Sequence, residues 1–155
     1  MVELERLKYF FLWIFTALVL AGFLFYFLSQ NSQNKSAAQL NINDEVINLA
    51  IARTDAELEH GLSGRAALAS NEGMLFIFQA DGFWQFWMKD MNFPIDMIWL
   101  DSSDKIVGIK ENATPDSYPQ TFTSQAPARY VLELPAGFAK AHGLIYNEPI
   151  NVIQK

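Results

Sequence analysis

Residues 9–28 read YFFLWIFTALVLAGFLFYFL, an uninterrupted apolar run in which Thr16 is the one clearly polar side chain. At about 1.5 Å per residue, a helix of this length spans roughly the 30 Å hydrocarbon core of a bilayer. Most of these residues are Phe, Leu, Ile or Val. At about −0.3 to −0.6 kcal/mol each, they favour insertion by roughly 4 to 8 kcal/mol. The expectation is a transmembrane helix over 9–28, so the bilayer is the first partner this chain calls for.

The flanks orient that helix. Arg6 and Lys8 precede it, whereas Lys35 is the one cation in roughly the next 20 residues, and positive charge stays cytoplasmic. Residues 1–8 are therefore expected inside, and the remainder exported, as in a bacterial inner-membrane protein with a periplasmic or extracellular domain. Cleavage after a signal peptide is the rival, with Ser36-Ala37-Ala38 as a small-residue site. Signal h-regions are about 7 to 15 residues long, however, and this run is longer and bulkier. The chain has no cysteine, so it offers neither a lipoprotein attachment site nor a disulfide, and the exported part must rely on its core.

Residues 29–39 (SQNSQNKSAAQ) are polar and without periodic apolar positions, which reads as a linker. Residues 40–155 are enough for one domain with a real core. They hold 15 Asp and Glu against 8 Lys and Arg. Such an acidic domain has no electrostatic footprint for nucleic acid.

Alternation and turn signals predict a string of short strands. Leu40 to Ile42 and Val46 to Ala52 flank an Asn43-Asp44 turn. Thr54 and Glu57 form a capping box that opens a short helix to about Leu62. Met74 to Phe78 and Phe83 to Met88 read as one hairpin, and Ile95 to Leu100 with Lys105 to Lys110 as another. Arg129 to Leu134 is a further strand, Pro135 stands where a first helical residue should with Gly143 closing that helix, and Glu148 to Ile153 ends the series. The fold class expected is α+β: a small, mostly antiparallel β domain, barrel-like, with two short helices.

Four blocks in order, GLSGR (61–65), EGMLFIF (72–78), FWMKDMNFPIDMIWL (86–100) and PARYVLELPAGFAKAHGL (127–144), resemble the family called domain of unknown function 192. The resemblance covers essentially all of 40–153. It implies a small β-rich domain, often exported or anchored, with no established activity. Two positions depart from the family's usual pattern. His60 stands where a basic residue usually precedes the Gly-Leu pair, and Asp90-Met91 where Asn-Thr often follows Trp-Met-Lys. If either position belongs to a site, the ligand of this member differs.

Strand alternation sorts the chemistry. With Phe83 to Lys89 extended, Trp84, Phe86 and Met88 face a core, and Phe83, Gln85, Trp87 and Lys89 face the other way. Lys89, Asp96, Arg129 and Glu133 are then expected to converge beside Trp87, with Arg65 and Glu72 contributed from loops. The functional reading is a pocket with an aromatic platform for a small anionic or sugar-like ligand. The alternative is a set of structural salt bridges, for instance Arg65 with Glu72.

Met88, Met91 and Met97 are closely spaced, and thioethers bind Cu(I), but methionine beside aromatic residues is also ordinary core filling. His60 and His142 lie far apart without metal-ligand spacing, so neither a metal nor another cofactor is expected. Nucleophile elbows, phosphate loops and zinc-protease motifs are absent. The function expected is a non-catalytic small-ligand binding or accessory module of the cell envelope. The alternatives are a carbohydrate-acting enzyme using paired carboxylates, and Met-based Cu(I) binding.

Overall fold

In the computed structural model, the described residues are Thr16, 19–22, 38–150 and 152–154. The chain divides into two units, Met1–Lys35 and Ser36–Lys155. In the first, Thr16 and residues 19–22 are helical and exposed. The rest of the expected 9–28 span lies outside the described residues, as does most of the linker. Among the described residues, no helix is long and apolar enough to cross a membrane.

The second unit is built on a seven-stranded sheet. Its strands are β1 (Ala38–Ile42), β2 (Glu45–Ala52), β3 (Glu72–Gly82), β5 (Ile95–Leu100), β6 (Ile106–Ala113), β8 (Ala128–Pro135) and β9 (Val152–Gln154). A separate two-stranded ribbon pairs β4 (Phe86–Trp87) with β7 (Thr121–Phe122). Two short helices, α1 (Asp55–His60) and α2 (Phe138–Ala141), complete it. The order across the sheet is β6-β5-β8-β3-β2-β1-β9, with β2 and β3 parallel and the other neighbours antiparallel.

Local chemistry explains the elements that form as expected. Asn43 and Asp44 take φ values of 48° and 65° between β1 and β2, the left-handed pair that a tight hairpin turn needs and that these residue types tolerate. At α1, the Glu57 N–H donates to Thr54 Oγ1, and the Thr54 N–H donates back to Glu57 Oε2 at 2.9 Å. The capping box is therefore complete. Hydrogen bonds from the backbone also hold the Glu57 carboxyl below its ordinary range.

Several expectations are corrected. The sheet does not close into a barrel. Its edges β6 and β9 remain distinct, and an isolated bridge, Lys105 to Pro149, links the start of one to the chain entering the other. Glu148 and Ile150 bond to the 104–106 segment, so the last strand starts only at Val152. The hairpin expected between Met74–Phe78 and Phe83–Met88 is not formed, because β3 runs on to Gly82 and pairs with β8. Residues 83–85 fold back over the sheet: Trp84 stacks on Phe78 at 4.0 Å and donates its indole N–H to Ala128 O at 2.8 Å. Pro135 ends β8, and α2 starts at Phe138 behind Gly137, whose φ is 85°.

Both faces of the sheet are buried, so all six residues of β5 are inaccessible. One face packs Leu40, Ile47, Leu75, Ile98 and Leu132 against Phe138 and Ala139 of α2. The other packs Met74, Phe76, Met97, Trp99 and Val131 against Phe86, Met88 and Leu62. Every burial of an aliphatic or aromatic side chain here is worth about 1.5 to 3 kcal/mol. Gly73 permits the closest approach: a Cβ there would lie 2.7 Å from Leu134 Cδ2 and 2.8 Å from Glu133 O.

Candidate functional site

On the second face, one carboxyl is out of place. Glu133 sits in β8 with Met74 of β3 and Met97 of β5 as its cross-strand neighbours. It is 5% exposed, and its Oε2 has no hydrogen-bond partner. Among the described residues, no cation comes within ion-pair distance of it. Burial pushes its carboxyl up to about 8 and outweighs the charge of Arg65, which pulls the other way. A carboxyl in such surroundings keeps its proton at neutral pH, because ionising it without a partner would be costly.

Glu133 forms part of the floor of a cavity of about 150 Å³. Leu58 to Ser63, at the end of α1 and the turn after it, make one wall, and Trp84 to Trp87 with Met91 make the other. Phe76 and Phe78 of β3 share the floor. Gly61 is needed at this point. It has a φ of 52°, and a Cβ there would come within 3.2 Å of Phe76 Cζ and 3.8 Å of Glu133 Oε2. The absence of a side chain keeps the carboxyl open to the cavity.

The two walls are tied to each other. The Gly64 N–H donates to Asp90 O at 2.8 Å, the Ser63 hydroxyl to Lys89 O at 3.0 Å, and the Asn92 amide to Arg65 O at 2.8 Å. Aromatic packing stiffens the second wall. Phe86 meets Phe76 edge-on at 4.9 Å and Trp99 edge-on at 5.9 Å, and Trp99 donates its indole N–H to Trp84 O at 3.1 Å. Such edge-to-face pairs add about 0.5 to 1.5 kcal/mol each beyond burial. The cavity is thus preformed.

A second, more polar basin of about 300 Å³ adjoins the first and is lined by Ala56, Glu59, His60, Ser63, Trp87, Lys89 and Asp90. Glu59, His60, Ser63 and Trp87 line both. Trp87 is 46% exposed between them. His60 and Asp90 both border this basin.

The expected site residues divide. Trp87 and Glu133 meet at the inner cavity, Lys89 lies in the outer basin, and Arg65 is close enough to Glu133 to act on its charge. Glu72, Asp96 and Arg129 lie elsewhere. Glu72 Oε2 accepts from the Ala69 N–H at 3.4 Å, and Glu72 makes no ion pair with Arg65. Arg129 is committed to Asp81 Oδ1 at 2.6 Å and Gln79 O at 3.0 Å. Asp96 faces the opposite side of the sheet. Its Oδ1 accepts from the Asn112 and Gly137 N–H groups at 2.8 and 3.1 Å, and its Oδ2 from the Ala139 N–H at 2.8 Å.

Other residues of the cavity were not singled out from the sequence. Leu58, Gly61, Phe76 and Phe78 read there as helix face, helix break and core strand, and only folding turns them toward one space. Among the described residues, no cluster of His, Asp and Glu is suited to hold a metal. Met88 and Met97 are fully buried in the apolar packing, while Met91 borders the cavity.

No curated protein matches the chain. Among solved structures, a protein of unknown function from Novosphingobium aromaticivorans is similar, at 27% identity and a TM-score of 0.67 over 74% of this chain and 82% of that one. A candidate transcription regulator from Sinorhizobium meliloti is similar at 31% identity and a TM-score of 0.67, over 74% of this chain and 91% of that one. The model of the DUF192 family, described as Uncharacterized ACR, matches residues 38–152. That match spans β1 to β8, the first residue of β9 and every residue of both cavities, and the chain belongs to the DUF192 family.

Proposed function

We propose that this chain is a small-ligand binding module of the cell envelope, held at the membrane by residues 9–28 and exposing its β domain outside the cytoplasm. The binding site is the cavity between α1 and the Trp84–Trp87 wall. The observation that carries this reading is Glu133, a buried carboxyl whose free oxygen opens into a preformed, aromatic-walled space. A protein interior rarely leaves such a group unpaired, because each unsatisfied polar atom costs about 1 to 3 kcal/mol. A ligand that completes the pairing recovers that loss.

The test is a thermal-shift screen of the chain against small amines, sugars and carboxylates. A ligand at a hundredfold excess over its dissociation constant stabilises by about 2.7 kcal/mol, which moves the midpoint by several degrees. The shift should disappear in Glu133→Gln and Trp87→Ala. Absence of any shift counts against the reading.

A second reading has one observation in its favour. Glu59 lines the same cavity as Glu133, and a pair of carboxyls across a cleft, one of them protonated, is what glycoside hydrolysis uses. Turnover of aryl glycosides that is lost in both Glu59→Gln and Glu133→Gln would favour it. The acidic charge of residues 40–155 opposes contact with nucleic acid.

A further inference from the structure

We propose, building on the pocket reading above, that the ligand is a small organic cation, a protonated primary amine whose ammonium pairs with Glu133 between the aromatic walls of the inner cavity. Three features on the two sides of the cavity point to positive charge. Glu133 Oε2 lacks any partner although it is buried, and an ammonium supplies both the counter-charge and the N–H donors it lacks. Phe76, Phe86 and Trp84 line the same space, and aromatic rings attract cations through their faces. The inner cavity is lined by a second acid, Glu59, and by no Lys or Arg, so an anion would meet carboxyls there with no lining ammonium or guanidinium to pair with.

Size narrows the class further. A cavity of about 150 Å³ matches the volume in which an apolar site accommodates benzene, about six heavy atoms. The head group is therefore a compact amine, and any polar remainder extends past Trp87 into the outer basin beside Ser63, His60 and Lys89.

The pairing has a chemical signature. Glu133 holds its proton in the empty cavity, so binding an ammonium moves that proton to solvent and leaves a carboxylate–ammonium pair. The groups facing Glu133 are few. From α1 and its turn come Glu59, His60 and Arg65, while β3 and β5 contribute the uncharged Met74 and Met97 and the opposite wall the uncharged Gln85 and Trp87.

The experiment is calorimetric titration of the full chain, in an uncharged detergent, with n-butylammonium between pH 6 and 9. Pairs of buffers that differ in ionisation enthalpy count the protons. Affinity should rise about tenfold per pH unit up to the Glu133 value and then level, with close to one proton released per ligand at pH 6.5. The proton count is read on the unaltered chain, so it stands whatever Glu133→Gln does to folding. In folded Glu133→Gln, affinity at pH 8.5 should fall by tenfold or more and the slope should vanish. In His60→Gln the slope should persist. Affinity that is flat or falls with pH, or that is untouched in Glu133→Gln, overturns the proposal. If glucose, acetate or Cu(I) binds in a Glu133-dependent way and butylammonium does not, the cation is wrong and the pocket stands. If no probe binds, both fall.

Discussion

Asp96 and Glu133 lie on adjacent strands one register position apart, yet their carboxyls face opposite sides of the sheet. Asp96 pairs with Leu134, and Glu133 with Met97. On one face the carboxylate receives three backbone N–H groups; on the other, a carboxyl oxygen receives none. The same residue chemistry thus serves structure in one place and leaves an open valence in the other.

Glu133 makes folding depend on pH. Its carboxyl is raised from an ordinary 4.5 to about 8. Between those values the folded chain keeps a proton that the unfolded chain has released. Its contribution is fully present below the unfolded value and is lost as pH climbs through the folded one, roughly 5 kcal/mol in all by linkage. Glu133→Gln should therefore match the parent near pH 5 and exceed it by several kcal/mol at pH 9. Urea unfolding at the two pH values checks this, and equal stability at both would contradict it.

Asp96→Ala should destabilise the domain by about 3 to 5 kcal/mol, since it strips the acceptor from three backbone donors at β6 and at the start of α2. It should leave ligand binding unchanged wherever the chain remains folded. Chemical denaturation together with the thermal-shift screen separates the two effects.

Arg129→Ala should do little. The Arg129–Asp81 pair has side chains 32% and 39% exposed, and such pairs are worth about 0 to 1 kcal/mol. A loss beyond about 2 kcal/mol, or any loss of ligand binding, would show that this ion pair does more than its exposure implies.

Gly73→Ala should destabilise by about 2 kcal/mol or more, because the new methyl would meet Leu134, Leu49 and the Glu133 carbonyl at 2.7 to 2.9 Å. A melting temperature within a degree or two of the parent would mean that β2, β3 and β8 can separate.

Much of the sheet was legible in the chain, and the reason is local. The Asn43-Asp44 turn, the Thr54 and Glu57 capping box and the β5–β6 hairpin are set by residues close in sequence. Alternation also placed Trp84, Phe86 and Met88 inward and Phe83, Gln85, Trp87 and Lys89 outward, as they are found. What failed was long-range. Period-2 alternation tells two faces apart but not which is solvated, and here both are buried, so Asp96 and Glu133 could not be assigned to opposite cores. The cavity escaped for a related reason: Gly61, Phe76 and Trp84 meet only because 83–85 folds back on β3 and the turn after α1 is tied through Ser63 and Gly64 to Lys89 and Asp90.

The most direct measurement is a carbon NMR titration of the chain labelled at its glutamate carboxyls. The account predicts one carboxyl, absent from Glu133→Gln, that titrates near 8 and moves to lower pH when n-butylammonium is added. If every glutamate titrates in the ordinary carboxylate range, Glu133 is charged at neutral pH, and the open, protonated floor of the cavity does not exist.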